Sequence, residues 1–315
     1  MADFMERQAP CPYFGLCGGC QLQHLSEATQ LTEKQAWLES LLAGTVEAKL
    51  IRRILPSPRA WHYRRRIQLH VGPKGEVGFY AAKSRAVVDI ESCSIAAEPL
   101  NARIPEVRRR AQAHLQAPKK PASLSYELTL LDDGEVEIRE GEEERHFIQV
   151  NPEANRELIG VMKEALNRLQ PRQVLELYAG NGNLSYALVQ AGQEWLAVEA
   201  NPRAVAAGKA AALAGAPPIE WHQGSAAKVG AALYRAGRSF DLVILDPPRG
   251  GAEDCLPLFR KWRPPAILYV SCHAPALKQD LRVLLQAAYA VEWVQPIDFF
   301  PQTRHVETLV SLKRV

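Results

Sequence analysis

Three cysteines lie within ten residues near the start of the chain, in the stretch CPYFGLCGGC. Cys11, Cys17 and Cys20 supply three thiolates, and Cys93 in DIESCSI offers a fourth. Four thiolates can hold either a zinc ion or a [4Fe–4S] cluster, and the spacing does not decide between them. In a reducing compartment, clustered cysteines are more typical of metal sites than of disulfides. The pattern therefore predicts a metal site with these four ligands.

A glycine-rich turn follows an apolar strand pattern in VLELYAGNGNLSYAL. Gly180 and Gly182 let the chain turn sharply and come close to a ligand. The turn is not the GxGxxG loop that cradles a pyrophosphate, which argues against a dinucleotide. About twenty residues further on, Glu199 ends the next strand in LAVEANP, where a carboxylate can bind both hydroxyls of a ribose. Loop and acid together predict an adenosyl ligand.

Two later apolar strands also end in residues that could do chemistry. Asp246 follows one of them in LDPPRGG, and Cys272 follows the other in YVSCHA. In a doubly wound sheet the carboxyl ends of the strands line the ligand crevice. We therefore expect both side chains beside the adenosyl ligand.

The elements that must position these residues fall into two patterns. From about 51 to 148 short strands and turns, with one helix at about 99–115, indicate a mainly antiparallel β domain. From about 149 short apolar strands alternate with helices, which indicates a doubly wound, mostly parallel α/β sheet. The last two strands have no helix between them and predict an antiparallel hairpin. A parallel sheet finished by a hairpin is the layout of the class I S-adenosylmethionine methyltransferases.

The charge distribution and the composition indicate which kind of partner the protein binds and where it is located. Residues 49–120 carry sixteen Lys and Arg but only five Asp and Glu, although the net charge of the chain is +3. Such asymmetry attracts polyanions and predicts a nucleic acid partner. No apolar run approaches the roughly 20 residues that span a bilayer, and MADFMERQAP does not resemble a secretory signal. We expect a cytoplasmic protein.

Cys272 beside a methyl donor predicts a particular reaction. Carbon 5 of a pyrimidine does not attack a sulfonium methyl group unaided, but a thiolate that adds to carbon 6 puts electron density on carbon 5. A base must then remove the carbon 5 proton so that the thiolate can leave. Glu307 in RHVETLV is the candidate base, because the final hairpin begins beside the same sheet edge. Arg249 replaces the aromatic residue typical of enzymes that methylate exocyclic amines, which argues against that chemistry.

The chain resembles the RNA uracil-5-methyltransferase family, in particular its iron–sulfur 23S rRNA members. The motifs that carry the resemblance are spread over nearly the whole chain: CPYFGLCGGC with Cys93, FIQVNPEAN, LELYAGNGN, VEANP, LDPPRGG, YVSC and HVE. The resemblance implies that Cys272 is the nucleophile, that Glu307 is the base and that the four cysteines hold [4Fe–4S]. With the two loop glycines, Gly180 and Gly182, it implies S-adenosylmethionine contacts at Gln149, Tyr178, Asn183, Glu199, Ser225 and Asp246.

Some positions depart from the family pattern. Ala179 stands where relatives often have cysteine, Ser225 where an acid is common, and His273 where asparagine often follows the nucleophile. Many relatives begin with a separate small β-barrel RNA-binding domain, whereas this sequence starts almost at the cysteine cluster. We therefore expect the protein to lack that domain and to bind RNA through the basic β domain. RNA enzymes that make 5-methylcytosine usually carry a second cysteine in the loop after the fourth strand. Here that loop reads DPPR and has no cysteine, which favours uracil as the substrate base.

The resulting prediction is a monomeric 23S rRNA uracil-5-methyltransferase with three parts. These are a cysteine-rich iron–sulfur loop (1–26), a basic, mainly antiparallel β RNA-binding domain (27–148) and the methyltransferase domain (149–315). The alternatives are a tRNA uracil-5-methyltransferase, an RNA cytosine-5-methyltransferase and, more remotely, a non-enzymatic metal-dependent RNA-binding module.

Overall fold

The structure is a computed structural model, which describes residues 7–116, 124–141, 148–211 and 218–315. Phe147, the first residue of the motif FIQVNPEAN, lies outside these ranges. The chain forms two compact units, each made of three separate segments. Unit 1 comprises residues 1–32, 57–155 and 300–304, and unit 2 comprises residues 33–56, 156–299 and 305–315. The predicted boundaries at residues 26 and 148 stay predictions.

Unit 1 contains a five-stranded antiparallel sheet in the order β3-β2-β1-β4-β5. Its sequence alternates apolar and polar residues, so that one face of the sheet packs against helix α3 and the other does not. The buried face includes Leu69, Val77 and Leu128, which pack with Val107 of α3. The elements are β1 (Arg66–Val71), β2 (Val77–Tyr80), β3 (Val87–Asp89), α2 (Glu98–Asn101), α3 (Ile104–Gln116), β4 (Ser125–Leu130) and β5 (Val136–Glu140).

The single helix predicted at about 99–115 is in fact two helices, α2 and α3. The break falls at residues 102–103, immediately before Ile104 and Pro105. Proline has no N–H to donate, so it is tolerated in the first turn of a helix and interrupts a longer one. The prediction of a mainly antiparallel β region is confirmed by the sheet.

Unit 2 is built on a seven-stranded sheet in the order β11-β12-β10-β9-β6-β7-β8. The five strands β6 to β10 are parallel. The apolar strands β6, β7, β9 and β10 are largely buried, as parallel strands covered on both faces require, whereas the edge strand β8, with the sequence IEWHQ, has no fully buried residue. The elements are β6 (Gln173–Leu177), α5 (Asn183–Leu188), β7 (Glu194–Glu199), α6 (Pro202–Ala210), β8 (Ile219–Gln223), α7 (Ala226–Arg235), β9 (Leu242–Leu245), α8 (Leu256–Trp262), β10 (Ala266–Ser271), α9 (Ala274–Gln286), β11 (Tyr289–Ile297) and β12 (Glu307–Arg314).

Two helices lie at the boundaries between the segments of the units, α1 (Glu27–Leu42) and α4 (Pro152–Leu169). A short 3-10 turn, Ala48–Leu50, follows α1. None of the helices in the described ranges is long and apolar enough to cross a bilayer.

The final hairpin joins the sheet as the sequence predicts. β12 pairs antiparallel with β10 on one side and with β11 on the other. The doubly wound, mostly parallel sheet with a terminal antiparallel hairpin is therefore confirmed. This topology matters for function, because an antiparallel β12 begins at the edge where the parallel strands end.

Candidate active site

The carboxyl edge of the large sheet collects most of the predicted site residues. Tyr178 follows β6, Glu199 ends β7, Ser225 follows β8 and Asp246 follows β9, while Cys272 follows β10. Parallel strands end at the same edge, so residues far apart in sequence reach one crevice. Gln149 is placed in unit 1, and its predicted cofactor contact stays a prediction.

The glycine turn has the backbone geometry that its sequence requires. Gly180 and Gly182 have φ values of 58° and 90°, in the left-handed region where a side chain is strained. A Cβ atom on Gly182 would lie 2.7 Å from the Tyr186 ring and 3.2 Å from Trp221. Tyr178, with a φ of 63°, is also in the left-handed region and donates its hydroxyl to Asp254 Oδ1 at 2.5 Å. The turn is therefore a tightly fixed backbone.

Glu199 is tied to this turn. Its Oε2 atom accepts a hydrogen bond from the Gly180 amide at 2.9 Å, and its Oε1 atom accepts one from the Asn201 amide at 2.7 Å. The carboxylate is thereby fixed at the end of β7 beside the loop. Asn183 begins helix α5, and the Ser225 hydroxyl accepts the Lys228 amide as the cap of α7.

Cys272 and Glu307 are brought to one place by strand register. Ser271, the last residue of β10, is paired with Thr308 of the antiparallel strand β12. The residues one step beyond that pair are Cys272 on one strand and Glu307 on the other, so both stand at the carboxyl edge. Cys272 is half-buried and Glu307 is buried. The sheet topology thus places a thiol and a carboxyl group together.

Burial dominates the acid–base properties of this cluster. Burial, the Glu307 carboxylate and the Asp246 carboxylate raise the pKa of Cys272 to about 11, and Arg249 opposes them. Burial, and then Asp246, raises the pKa of Glu307 to about 8. Burial alone raises the pKa of Asp246 to about 7. Raised carboxyl pKa values near neutrality are typical of groups that exchange protons during catalysis.

Sequence reasoning missed a buried acid under the glycine turn. Glu176, in the middle of strand β6, accepts hydrogen bonds from Ser185 Oγ at 2.5 Å and from Trp195 Nε1 at 3.0 Å. Burial raises its pKa to about 8, with a smaller contribution from the Asp246 carboxylate. The signal was available, because an acid inside the apolar strand QVLEL must be buried and needs partners.

Sequence reasoning also missed a second acid, Asp280, which accepts a hydrogen bond from the loop that follows the motif LDPP. Asp280 of α9 accepts hydrogen bonds from the Ala252 amide at 2.8 Å and from the Tyr269 hydroxyl at 2.5 Å. A Cβ atom on Gly251 would lie 2.6 Å from the Asp280 carboxylate. The sequence carries no signal for this contact, because it joins residues 28 positions apart.

The four predicted metal-ligating cysteines line one cavity of unit 1. Its other walls are mainly aromatic and aliphatic side chains, and they include one charged residue, Arg64. Burial raises the pKa of Cys20 to about 12 and also raises the pKa values of Cys17 and Cys93. The four half-buried thiols that meet at the cavity are Cys11, Cys17, Cys20 and Cys93.

The cavity wall contains a buried donor without an acceptor. The Nε atom of Arg64 is buried and has no hydrogen-bond partner among the described residues. Burial raises the pKa values of Cys17, Cys20 and Cys93, and the positive charge of the Arg64 guanidinium group offsets a small part of that rise. In the described ranges no three His, Cys, Asp or Glu side chains are arranged to hold a metal ion.

The comparisons with known proteins agree with this geometry. The family model described as tRNA (Uracil-5-)-methyltransferase matches residues 122–220 and 229–315. The chain is 31% identical to the 23S rRNA (uracil(1939)-C(5))-methyltransferase RlmD of Klebsiella pneumoniae strain 342, across 100% of this chain and 83% of that protein. It is 28% identical to the uncharacterized RNA methyltransferase BH0687 of Halalkalibacterium halodurans, across 97% of this chain and 83% of that protein.

The fold has a counterpart among solved structures. The crystal structure of Pyrococcus abyssi tRNA (uracil-54, C5)-methyltransferase in complex with S-adenosyl-L-homocysteine matches with a TM-score of 0.74. The match covers 97% of this chain and 87% of that chain, at 22% sequence identity.

Fold and site together define a class I S-adenosylmethionine-dependent methyltransferase. The predicted fold class is thereby confirmed. More specifically, the chain belongs to the tRNA (uracil-5-)-methyltransferase family, whose members are RNA uracil-5-methyltransferases. The resemblance read from the sequence motifs is confirmed as well. Membership of a methyltransferase family supports S-adenosylmethionine as the methyl donor. The [4Fe–4S] cluster stays a prediction.

Proposed function

We propose that this protein methylates carbon 5 of one uridine in 23S rRNA through a covalent adduct with Cys272. The observation that carries the proposal is the register of β10 and β12, which sets Cys272 and Glu307 at the same sheet edge. The RlmD proteins of Klebsiella pneumoniae and Shewanella halifaxensis, named as 23S rRNA methyltransferases, support the choice of RNA.

The residues divide the chemistry into two proton-balanced stages. S-adenosylmethionine supplies an electrophilic methyl group when it is bound at the glycine turn. In the first stage the Cys272 thiol loses its proton to solvent and its thiolate bonds to carbon 6 of uracil. The electron pair moves to carbon 5, which takes the methyl group and would leave S-adenosylhomocysteine. In the second stage Glu307 removes the carbon 5 proton, the double bond re-forms and the Cys272 thiolate leaves. A carboxyl group with a pKa of about 8 suits this removal.

The reaction is tested with separately purified 23S rRNA and tRNA and radiolabelled S-adenosylmethionine. We expect label in 23S rRNA as 5-methyluridine, no transfer by Cys272→Ala, and a denaturation-resistant protein–RNA adduct with Glu307→Gln. Glu292→Gln, the same change on β11, serves as the control and should turn over normally. Full activity of Cys272→Ala would refute the mechanism. Label in tRNA alone would refute the choice of rRNA, and label in cytosine the choice of base.

The proposal includes a [4Fe–4S] cluster on Cys11, Cys17, Cys20 and Cys93. The supporting observation is a cavity lined by all four thiols together with the unpartnered Arg64 Nε. Four thiols around one cavity can hold either a zinc ion or a [4Fe–4S] cluster, and the resemblance of CPYFGLCGGC and Cys93 to the iron–sulfur members of the family favours the cluster. The sulfides of a cluster would also give the Arg64 N–H an acceptor. The iron–thiolate bonds would join the loop around Cys17 to Cys93, which follows strand β3.

Metal analysis distinguishes a [4Fe–4S] cluster from a single zinc ion at this site. Anaerobically purified protein should contain about four iron and four sulfide per chain, and Cys93→Ser should lose most of both. Cys255→Ser is the matched control, because Cys255 is buried and is not one of the residues that line the cavity. One zinc per chain, without sulfide, would refute the cluster.

We place the enzyme in the cytoplasm as a monomer. It binds RNA through the basic part of unit 1. Analytical ultracentrifugation tests the oligomeric state, because a monomer sediments with the mass of one chain.

A further inference from the structure

One exposed surface of unit 1 joins an apolar side chain, an aromatic stack and two cations. We call it the hairpin-tip platform and define it by five residues of strands β1 and β2, the β2–β3 turn and the cysteine loop. Two of these residues, Leu16 and Tyr80, are 63% and 39% exposed, which is uncommon for large apolar side chains. The five residues are Leu16, His70, Tyr80, Lys83 and Arg85.

The aromatic part is a stacked pair. The His70 and Tyr80 rings lie 3.9 Å apart between centroids and only 17° from parallel. Both residues lie on the face of the sheet opposite the core, because they alternate with the buried Leu69 and the core-packed Phe79. An unstacked nucleobase adds to such a pair by the same face-to-face contact.

The platform is held in a fixed shape by backbone hydrogen bonds. The Gly18 amide donates to the Tyr80 carbonyl at 2.9 Å, and the Ala82 amide donates to the Leu16 carbonyl at 3.2 Å. Within the turn, the Ala81 amide donates to the Ala86 carbonyl at 2.8 Å. The cysteine loop and the β2–β3 turn therefore form one preorganised surface, which lowers the entropy cost of binding.

The charges on the platform point to a polyanion. Lys83 and Arg85 are exposed, and neither forms an ion pair with an acid in the described part of the chain. Nearby Asp89, by contrast, is already paired with Arg108 at 2.7 Å. A surface with an aromatic stack and unpaired cations has the two features that bind single-stranded nucleic acid, namely base stacking and phosphate contact.

We propose that the hairpin-tip platform stacks an unpaired base of the substrate RNA on Tyr80 while Lys83 and Arg85 contact its phosphates. The inference rests on the proposed function, which supplies the RNA. It adds a recognition site on unit 1, and it gives the exposed side chains of the cysteine loop and its neighbouring turn a direct role in substrate binding.

The test measures the binding of a labelled single-stranded RNA of about 16 nucleotides to the full chain by fluorescence anisotropy. Tyr80→Ala should weaken binding about 5- to 150-fold, the range expected for loss of one stacked base, and Tyr80→Phe should restore it. The double variant Lys83→Gln, Arg85→Gln should reduce the salt slope of log K by about 1.4, or ~0.7 per phosphate contact. Tyr234→Ala, which removes a comparably exposed tyrosine of unit 2, is the control and should bind like the wild type.

The outcomes distinguish a failure of the hairpin-tip platform from a failure of the proposed function. Unchanged binding by Tyr80→Ala, while the wild type methylates RNA, would overturn the platform and leave the proposed function intact. Equal weakening by Tyr80→Ala and Tyr80→Phe would also overturn it, because the hydroxyl and not the ring would then matter. A wild type that neither binds nor methylates RNA would refute the proposed function itself. Unchanged S-adenosylmethionine affinity in Tyr80→Ala would show that its loss of RNA binding is local.

Discussion

Replacing Glu307 by glutamine should change the reactivity of Cys272 in a pH-dependent way. The Glu307 carboxylate is the second-largest cause, after burial, of the raised pKa of the Cys272 thiol. Glutamine has nearly the same shape and no charge. The substitution therefore removes one repulsive partner of the thiolate without opening a cavity.

The size of the effect follows from two pKa values. The Cys272 pKa is raised from 9.0 to about 11, and burial accounts for the largest part of this shift. A pKa difference of about one unit between the two proteins corresponds to about ten-fold more thiolate in the variant. Glu307 has a pKa of about 8, so it is mostly neutral at pH 7 and mostly charged at pH 9. The difference between the two proteins should therefore be small at pH 7 and approach its full value near pH 9.

The assay is the rate of iodoacetamide alkylation of the Cys272 peptide, followed by mass spectrometry without cofactor or RNA. We expect nearly equal rates at pH 7 and up to about ten-fold faster alkylation of Glu307→Gln at pH 9. Glu292→Gln should match the wild type at both pH values. Equal rates of wild type and Glu307→Gln at pH 9, or a slower variant, would refute the electrostatic link between these groups.

Three further predictions follow from the structure. Glu176 has a folded-state pKa raised from 4.5 to about 8, so the stability due to its proton is present below pH 4.5 and is lost as the pH rises through 8. In urea unfolding, the free energy of unfolding of Glu176→Gln should therefore increase relative to that of the wild type between pH 4.5 and pH 8. Gly182→Ala should cost about 2 kcal/mol and lower the melting temperature by about 4–8 °C, because of its positive φ and the Tyr186 contact; an unchanged melting curve would contradict the strain. Arg64→Met should retain less iron through gel filtration than Arg109→Met, a control on an exposed arginine, because only Arg64 lines the cysteine cavity.

The sequence predicts the parts of the fold and site that depend on strand order. Alternating strands and helices imply a parallel sheet, and a parallel sheet sends Asp246 and Cys272 to the same edge. The missing helix before β12 implies a hairpin, and this alone brings Glu307 to that edge. These conclusions need only local patterns and chain topology, which is why they follow from one sequence.

Contacts between distant side chains are the part that the sequence does not reveal. Asp280 supports the loop after LDPP across 28 residues, and the Arg64 guanidinium reaches a cavity shared with Cys11. The stack of His70 on Tyr80 depends on strand register and on rotamers. Such contacts depend on tertiary packing, and no spacing rule along the chain encodes them.

The interleaved segments of the two units have a consequence for biosynthesis. Residues 300–304 complete unit 1, and the Gln302 carbonyl accepts the amides of Gln21 and Leu22, directly after the cysteine loop. A ribosome synthesises the chain from its amino end, so residues 1–32 are made well before residues 300–304, which complete their unit. Neither unit can be excised by one cut or exchanged by one crossover, and any assembly of the cysteine site that needs the finished unit must follow the synthesis of residues 300–304.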